Sequence, residues 1–409
     1  MENKMNKILY VLMIATLSAC TPGQKEDQAN NPLQPSQVIP QAANGYGAGN
    51  SQLAQPDDVE LLSDARVIIT DVDNHRIQVF SSAGELERSI TSSDLGLDVK
   101  EIIPTGLATD AVGNLFVTLE GVGTVAKFTP ELQFHSFIGY QGAVSAEDYY
   151  LTENNGLLMK PQGLIVNARG DVYVIDMAKD VFKADGVRNF GFRKFRWDAT
   201  EDGGEYHYDS DFANTQEITT IMRKSEGMAI SESRNLLFVA EEKPAKNQFG
   251  NTEKYRYIAA FDLSTGKFMN RLYGVEMRGD SIVSGYCAES IEGLSVHGDY
   301  LYSVAEKDGR VDVFHIDSGE RVAHLGVPAP FYCDDESDCV IDGVNYNEQN
   351  IMAGVAQVHL LNDWRKSELA SPDGICVKTM GDGSARLAVV DQWNSRVLLY
   401  NLKDVLGSD

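Results

Sequence analysis

SEGMAISESRNLLFVAEE, Ser225 to Glu242, reads as an apolar strand opened by a glycine, a polar turn at Glu232–Asn235, and a second apolar strand ending in paired carboxylates. The same pattern returns at Pro104–Glu120 (PTGLATDAVGNLFVTLE), Pro161–Asp176 (PQGLIVNARGDVYVID), Ile291–Glu306 (IEGLSVHGDYLYSVAE) and Pro372–Asp391 (PDGICVKTMGDGSARLAVVD). Most copies are followed by an outward hairpin such as YIAAFDLSTGKFMNRL (257–272), where Asp262 and Ser264 bond locally and Gly266 supplies a positive φ. Repeated four-strand units with short, protected edges are the signature of a β-propeller, so the fold class is all-β.

Five units open with a glycine; a sixth, at the N-terminal end, does not. Its sequence TDVDNHRIQVFSSAGEL, from Thr70, resembles the NHL repeat in its Asp, its Asn-His-Arg and its apolar alternation. Arg386–Asp391 and Ser395–Asn401 repeat the same two strands near the C-terminus. The count gives a six-bladed propeller over 57–409, with the terminal strands closing the ring and residues near Val59–Leu62 completing the last blade. Two stretches break the period, near 179–224 and 327–370. The first holds the basic, aromatic run Val187–Trp197 and then an acidic one. The second holds Cys333 and Cys339, and Ile351–Lys366 with Met352, Val355, Val358 and Leu361 at helical spacing. Long insertions in a repeat architecture sit on a rim and tend to be functional.

Lys4 and Lys7 precede the apolar run Ile8–Leu17 and then Ser18, Ala19 and Cys20, the layout of an export signal too short to span a bilayer. Leu17-Ser18-Ala19-Cys20 resembles the lipobox of bacterial lipoproteins. That implies a signal peptide over 1–19, lipidation at Cys20 and, with Thr21 rather than Asp following, the outer membrane. Residues 20–56, rich in Gln, Asn, Pro and Gly, read as a flexible tether. Export makes disulfides possible: Cys333 with Cys339 is the preferred bridge, leaving Cys287 with Cys376, although four cysteines allow three connectivities. The formal charge of −25 argues against nucleic acid and anionic lipid surfaces and favours cations, which leaves the lipid anchor as the membrane contact. A monomer is expected.

In an antiparallel meander, the residue before each leading glycine neighbours the end of the following strand. The pairs are Thr105 with Glu120, Gln162 with Asp176, Glu226 with Glu241 and Glu242, Glu292 with Glu306, and Asp373 with Asp391, with Asp71 and Asp73 added by the first unit. Inner strands converge on the axis, so these residues ring one mouth of the channel. Crowded carboxylates raise each other's pKa unless cations are bound, and oxygen-only donors suit Ca²⁺. A plainer reading has Asp71, Asp176 and Asp391 bonding the adjacent turn. It does not explain acids before the glycines, or the doubled Glu241-Glu242.

Residues 225–395 resemble the bacterial β-propeller phytases, in SEGMAISESRNLLFVAEE, SIEGLSVHGDYLYSVAEKDGRVDVFHI and SPDGICV followed by LAVVDQ. The resemblance implies calcium ligands at Glu226, Glu241, Glu242, Glu292, Asp373 and Asp391, with Glu226 and Glu241 as the first catalytic candidates. The implied reaction is metal-assisted hydrolysis of a phosphomonoester, a water on Ca²⁺ being activated beside a carboxylate base. The family's Asp-Asp-Pro-Ala-Ile-Trp-like run has no counterpart, and Ser290 and Cys376 stand where it has aspartates. Arg76, Lys127, Arg193, Lys194 and Arg196 are the basic residues available to grip phosphate. Six-bladed lactonases resemble the chain less, since 372–374 lacks their Asn after Pro. The expectation is a calcium-dependent phosphatase acting on a phosphorylated small molecule. The alternative is a non-enzymatic NHL-like propeller lipoprotein that binds a protein or glycan at the surface.

Overall fold

A computed structural model describes residues 33–41, 46–98, 101–139, 156–176, 191–200, 204–213, 227–246, 252–278, 281–285, 290–306, 308–328, 340–341, 344–345 and 368–406. Their strands form six four-stranded antiparallel sheets, the blades. From the axis outward, blade 1 is Pro56–Leu61, Val67–Asp71, Arg76–Phe80 and Leu86–Ile90. Blade 2 is Pro104–Thr109, Leu115–Leu119, Thr124–Phe128 and Phe134–Ile138, and blade 3 is Pro161–Val166, Val172–Asp176, Gly191–Asp198 and Glu205–Tyr208. Blade 4 is Met228–Ser231, Leu236–Lys246, Thr252–Asp262 and Phe268–Tyr273, and blade 5 is Ile291–His297, Tyr300–Ala305, Arg310–His315 and Arg321–Leu325. Blade 6 is Pro372–Thr379, Ala385–Asp391, Arg396–Asn401 and, from the other end of the chain, Gln37–Ile39.

Leu115–Leu119 shows why such short apolar runs build this architecture. Side chains alternate across a strand, so Leu115, Val117 and Leu119 join the apolar cluster shared with blade 1, while Phe116 joins the one shared with blade 3. A strand covered on both faces needs no polar alternation. Among the described residues there are six such clusters, one between each pair of neighbouring blades, which closes the ring. Each buried large apolar side chain contributes about 1.5–3 kcal/mol, and the cores are filled by fully buried Phe116, Tyr173, Phe238, Tyr302 and Tyr400 among others.

Terminal strands close the ring as expected, but with other residues than the sequence suggested. Gln37–Ile39 lies inside the expected tether, yet it pairs with Arg396–Asn401, Gln37 opposite Leu399 and Ile39 opposite Val397. Ser36 adds two bonds to the Leu399 carbonyl, from its amide at 2.7 Å and its hydroxyl at 2.9 Å. Ile39 is fully buried in the cluster between blades 6 and 1. Val59–Leu61 instead belong to the inner strand of blade 1. The first expected insertion is also partly blade: Gly191–Asp198 pairs with Val172–Asp176, and Glu205–Tyr208 forms the outer edge. In the second, Val327–Pro328 pairs in parallel with Glu368–Leu369. Cys20, Cys287, Cys333, Cys339 and the run at helical spacing lie outside the described residues.

The inner strands crowd one another at the axis. Pairing with the second strand slips just after the first residue in blades 1, 2, 3, 5 and 6, at the Asp58, Gly106, Gly163, Gly293 and Gly374 positions. A Cβ on Gly106 would stand 2.4 Å from the Gln162 carbonyl oxygen, one on Gly227 1.9 Å from that of Glu292, and one on Gly293 2.5 Å from that of Asp373. Glycine is required there because the neighbour is backbone, which cannot rotate away. Gly227→Ala should therefore lower unfolding stability by about 3 kcal/mol, the upper range for overpacking, in urea denaturation. Gly298→Asn, at a φ of +57° with open space around it, should cost under about 1 kcal/mol, since Asn tolerates that backbone region. Equal costs would contradict this account of the axis.

Candidate functional site: an acidic cavity on the propeller axis

Strand register sorts the acids into two sets. Val59, Leu107, Leu164, Met228, Leu294 and Ile375 pair with Ile69, Val117, Val174, Val239, Ser303 and Val389. Two residues further on, the second strands carry Asp71, Leu119, Asp176, Glu241, Ala305 and Asp391; three further on stand Val72, Glu120, Met177, Glu242, Glu306 and Gln392.

The first set holds the blades together. Asp71 accepts the Ala54 amide at 2.7 Å, together with Asn74, Arg76 and Gln78 side chains. Asp176 accepts the amides of Met159 at 2.8 Å and Lys160 at 2.6 Å. Asp391 accepts the Ala370 amide at 2.6 Å, the Asn394 amide group at 2.8 Å and Arg396 Nε at 2.6 Å. Each clamps the segment leading into its own inner strand. Asp391 is fully buried, and burial pushes its carboxyl up despite the Arg396 guanidinium. The plainer reading therefore holds for Asp71 and Asp391, which bond Asn74 and Asn394 in the turns that follow; the turn after Asp176 lies outside the described residues. Glu241, 2% exposed, shares their register; the segment it would clamp lies outside the described residues.

Of the second set, Glu306 lies at the axis, with Gln162, Glu292 and Asp373 from the residues preceding the glycines. All six inner strands wall a cavity of about 380 Å³, lined by Asp57, Asp58, Glu60, Glu292, Glu306 and Asp373, with Lys378 as the basic residue among the described lining. Glu292 is 8% exposed, and the Ser290 hydroxyl donates to its Oε1. Ser371 donates to Glu306 Oε1 at 2.8 Å, and Gln392 to Asp373 Oδ2 at 2.9 Å. Gln162 reaches back to Glu120 of the preceding blade at 2.5 Å, rather than to Asp176. Of the expected ligands, Glu292 and Asp373 thus share one cavity. Glu226 and the side chain of Glu242 lie outside the described residues. Among the described residues no three acids, histidines or cysteines are placed to share a metal ion.

Four lining residues were not singled out by the sequence. Asp57 and Asp58 follow Pro56 as Gln162-Gly163 follow Pro161, so Asp58 takes the glycine position. Its oxygens accept the amides of Val59 at 2.8 Å and Leu107 at 2.7 Å, and burial pushes its carboxyl well up. Towards the other end of the inner strands, Lys378 Nζ lies 2.6 Å from Glu60 Oε1, which also accepts the Thr109 hydroxyl at 2.6 Å, and Lys378 donates to that hydroxyl in turn. Burial works most strongly against the Lys378 ammonium, but Glu60, Cys376 and Asp110 together hold its pKa up. Aligning the repeats on proline would have exposed Asp58; no local motif marks Glu60 or Lys378.

Cys376 is a free thiol, not half of a bridge to Cys287. It lies in the inner strand of blade 6, where it takes the Leu61 amide at 3.4 Å and sits 3.5 Å from Glu60. Burial pushes this thiol well up, away from reactivity. The expected phosphate-gripping residues are engaged elsewhere: Arg76 on Asp71, Lys194 on Asp209 at 3.1 Å, and Arg196 on Asp198. Lys127 is buried 4.2 Å from the Trp197 ring centroid, and Arg193 lies over Tyr208. None of the five lines the cavity.

Residues 53–80 match the NHL repeat family. The chain is similar to solved propellers: the gluconolactonase XC5397 of Xanthomonas campestris (15% identity, 90% of this chain and 96% of that one, TM-score 0.47) and virginiamycin B lyase of Staphylococcus aureus (13%, 89% and 98%, 0.45). A nidogen/laminin complex also matches (14%, 67% and 81%, 0.42). No curated protein matches in sequence.

Asp58 gives this cavity a pH signature. Its folded pKa lies above the unfolded value, so its contribution is complete below about pH 4 and is lost as pH rises through the folded value. The fall in unfolding midpoint between pH 4 and pH 8 should be smaller in Asp58→Asn than in the parent. Parallel curves would show that Asp58 ionises freely.

Proposed function

We propose that the protein is a ligand-binding six-bladed propeller whose axial cavity takes a cation. One observation carries this reading: six carboxylate residues line a single cavity of about 380 Å³, and Lys378 is the one basic residue among its described lining. That lysine is already paired with Glu60. Crowded carboxylates attract cations or take up protons, and ligand cavities of this size suit small molecules. The chemistry of the donors, all oxygen, suits Ca²⁺. Their placement does not complete a calcium site from the described residues, so no hydrolytic step is drawn through that ion.

A phosphomonoester hydrolase of the phytase type is the second reading, favoured by Glu292 and Asp373 meeting in one cavity at positions matched to that family. Against it, an anionic ester would meet six carboxylates and one engaged lysine. The export motif ending at Cys20 supports a lipid anchor and an outer-membrane location as part of the proposal.

Thermal unfolding of the full chain tests both readings. CaCl₂, against NaCl of matched ionic strength, should raise the midpoint, and Glu292→Gln with Asp373→Asn should remove that rise. Calcium-dependent release of phosphate from phytate or p-nitrophenyl phosphate would establish the hydrolase. Calcium stabilisation that survives the double substitution would place the ion elsewhere.

A further inference from the structure

The strand Gln37–Ile39 fixes the face of the ring from which the preceding chain arrives. In blade 6, Pro372, Asp391 and Arg396 stand level at the end that carries Asp373, while Lys378, Arg386 and Asn401 stand level at the opposite face. Gln37–Ile39 runs antiparallel to Arg396–Asn401, Gln37 opposite Leu399 and Ile39 opposite Val397, so it climbs towards the Asp373 end. The chain before it therefore comes from the opposite face. Leu33 packs there, against the apolar cluster that contains Leu402, the first residue of the helix Leu402–Leu406 that follows Asn401. The acids Glu292 and Asp373, each next to the first residue of an inner strand, lie at the other face.

We infer, building on the proposed lipid anchor at Cys20, that the propeller stands on its membrane by that opposite face, with the Glu292 and Asp373 end of the axis turned away from the bilayer. Leu33 is thirteen residues after Cys20, a reach of at most about 45 Å at ~3.5 Å per residue. An inverted propeller would use up roughly half of that reach in rising past blade 6, whose inner strand Pro372–Thr379 climbs about 23 Å at ~3.3 Å per residue. The upright one uses none of it. Charge does not favour inversion or flat docking, since exposed Asp64, Asp299, Asp317 and Asp382 occupy the turns of the anchored face. Arg66 there is engaged by Asp64, and Arg234 by Asp299 and Asp317. Acids at both faces repel anionic lipid, so the point of attachment decides the orientation. A ligand of the axial cavity reaches its acidic end from the side away from the anchoring leaflet.

The test is energy transfer from the full chain, matured in a lipidating bacterial host, to preformed vesicles of phosphatidylethanolamine and phosphatidylglycerol that carry a rhodamine-labelled lipid. A donor dye is attached through an azide-bearing amino acid placed at Val112 or at Ser93. Val112, 74% exposed, lies in the turn after the inner strand of blade 2, on the anchored face. Ser93, also exposed, follows the outer strand of blade 1 at the acidic face. Transfer from Val112 should exceed that from Ser93, and Cys20→Ala should abolish association with the vesicles. Asp98, exposed on the same face as Ser93, replaces it if that variant fails to fold. Equal transfer from the two faces of a vesicle-bound chain, or more from the acidic one, would overturn the orientation and leave the anchor standing. A parent chain that does not join the vesicles, or a Cys20→Ala chain that still does, would overturn the anchor and the orientation with it.

Discussion

The close approach of six inner strands at the axis is the constraint on which the structure depends. With Gly227 so near the Glu292 carbonyl that a methyl group would stand 1.9 Å from it, neighbouring blades meet backbone to backbone. That contact brings the flanking sheets near enough for their apolar faces to merge into six shared clusters. It also fixes what the axis can hold. Gln162, Glu292 and Asp373, each just before a glycine, are carried to the cavity, and residues after the glycines wall it.

Blade 1 shows how the constraint bends. Asp58 stands where the other blades have glycine, and its side chain bridges to the Leu107 amide of blade 2. On its other side, Gly374 packs against Asp58 and the Asp57 carbonyl, with a Cβ only 2.4 Å from Asp58 Oδ1. The seam of the ring is thus closed twice: by Asp58 at the centre and by Gln37–Ile39 at the outer edge.

Five of six inner strands were legible because glycine, an apolar run and a turn fall at fixed offsets. Blade 1 was legible only in its outer strands, since the NHL-like Asp71, Asn74 and Arg76 mark the clamp on the preceding segment and say nothing of Asp58. Gln37–Ile39 was illegible because three residues carry no period; their strand character comes from the partner, Arg396–Asn401. The outer hairpin of blade 3 was hidden by composition. Lys194 and Arg193 look like a surface, yet Lys194 is 4% exposed between Asp209 and the Phe212 ring. For the site, spacing found Glu292 and Asp373 but could not separate the clamp register from the cavity register, which differ by one residue. In a strand one residue exchanges the two faces, so Asp391 and Gln392 have opposite duties.

This single-residue distinction bears on the chemistry of the axis. The clamp acids are neutralised inside the protein, Asp391 by Arg396 and an amide, Asp71 by Arg76 and an amide. Among the cavity acids, Glu60 is paired with Lys378, whereas the donors to Glu292 and Glu306 are the hydroxyls of Ser290 and Ser371, both uncharged. A neutral donor orients a carboxylate without cancelling its charge. A ring that needed these acids only for closure would pair them as Asp71 and Asp391 are paired, as the same chain does four residues from Gln392 with Arg396. The orientation of Glu292 and Glu306 by neutral donors is the arrangement on which the proposed cation site rests.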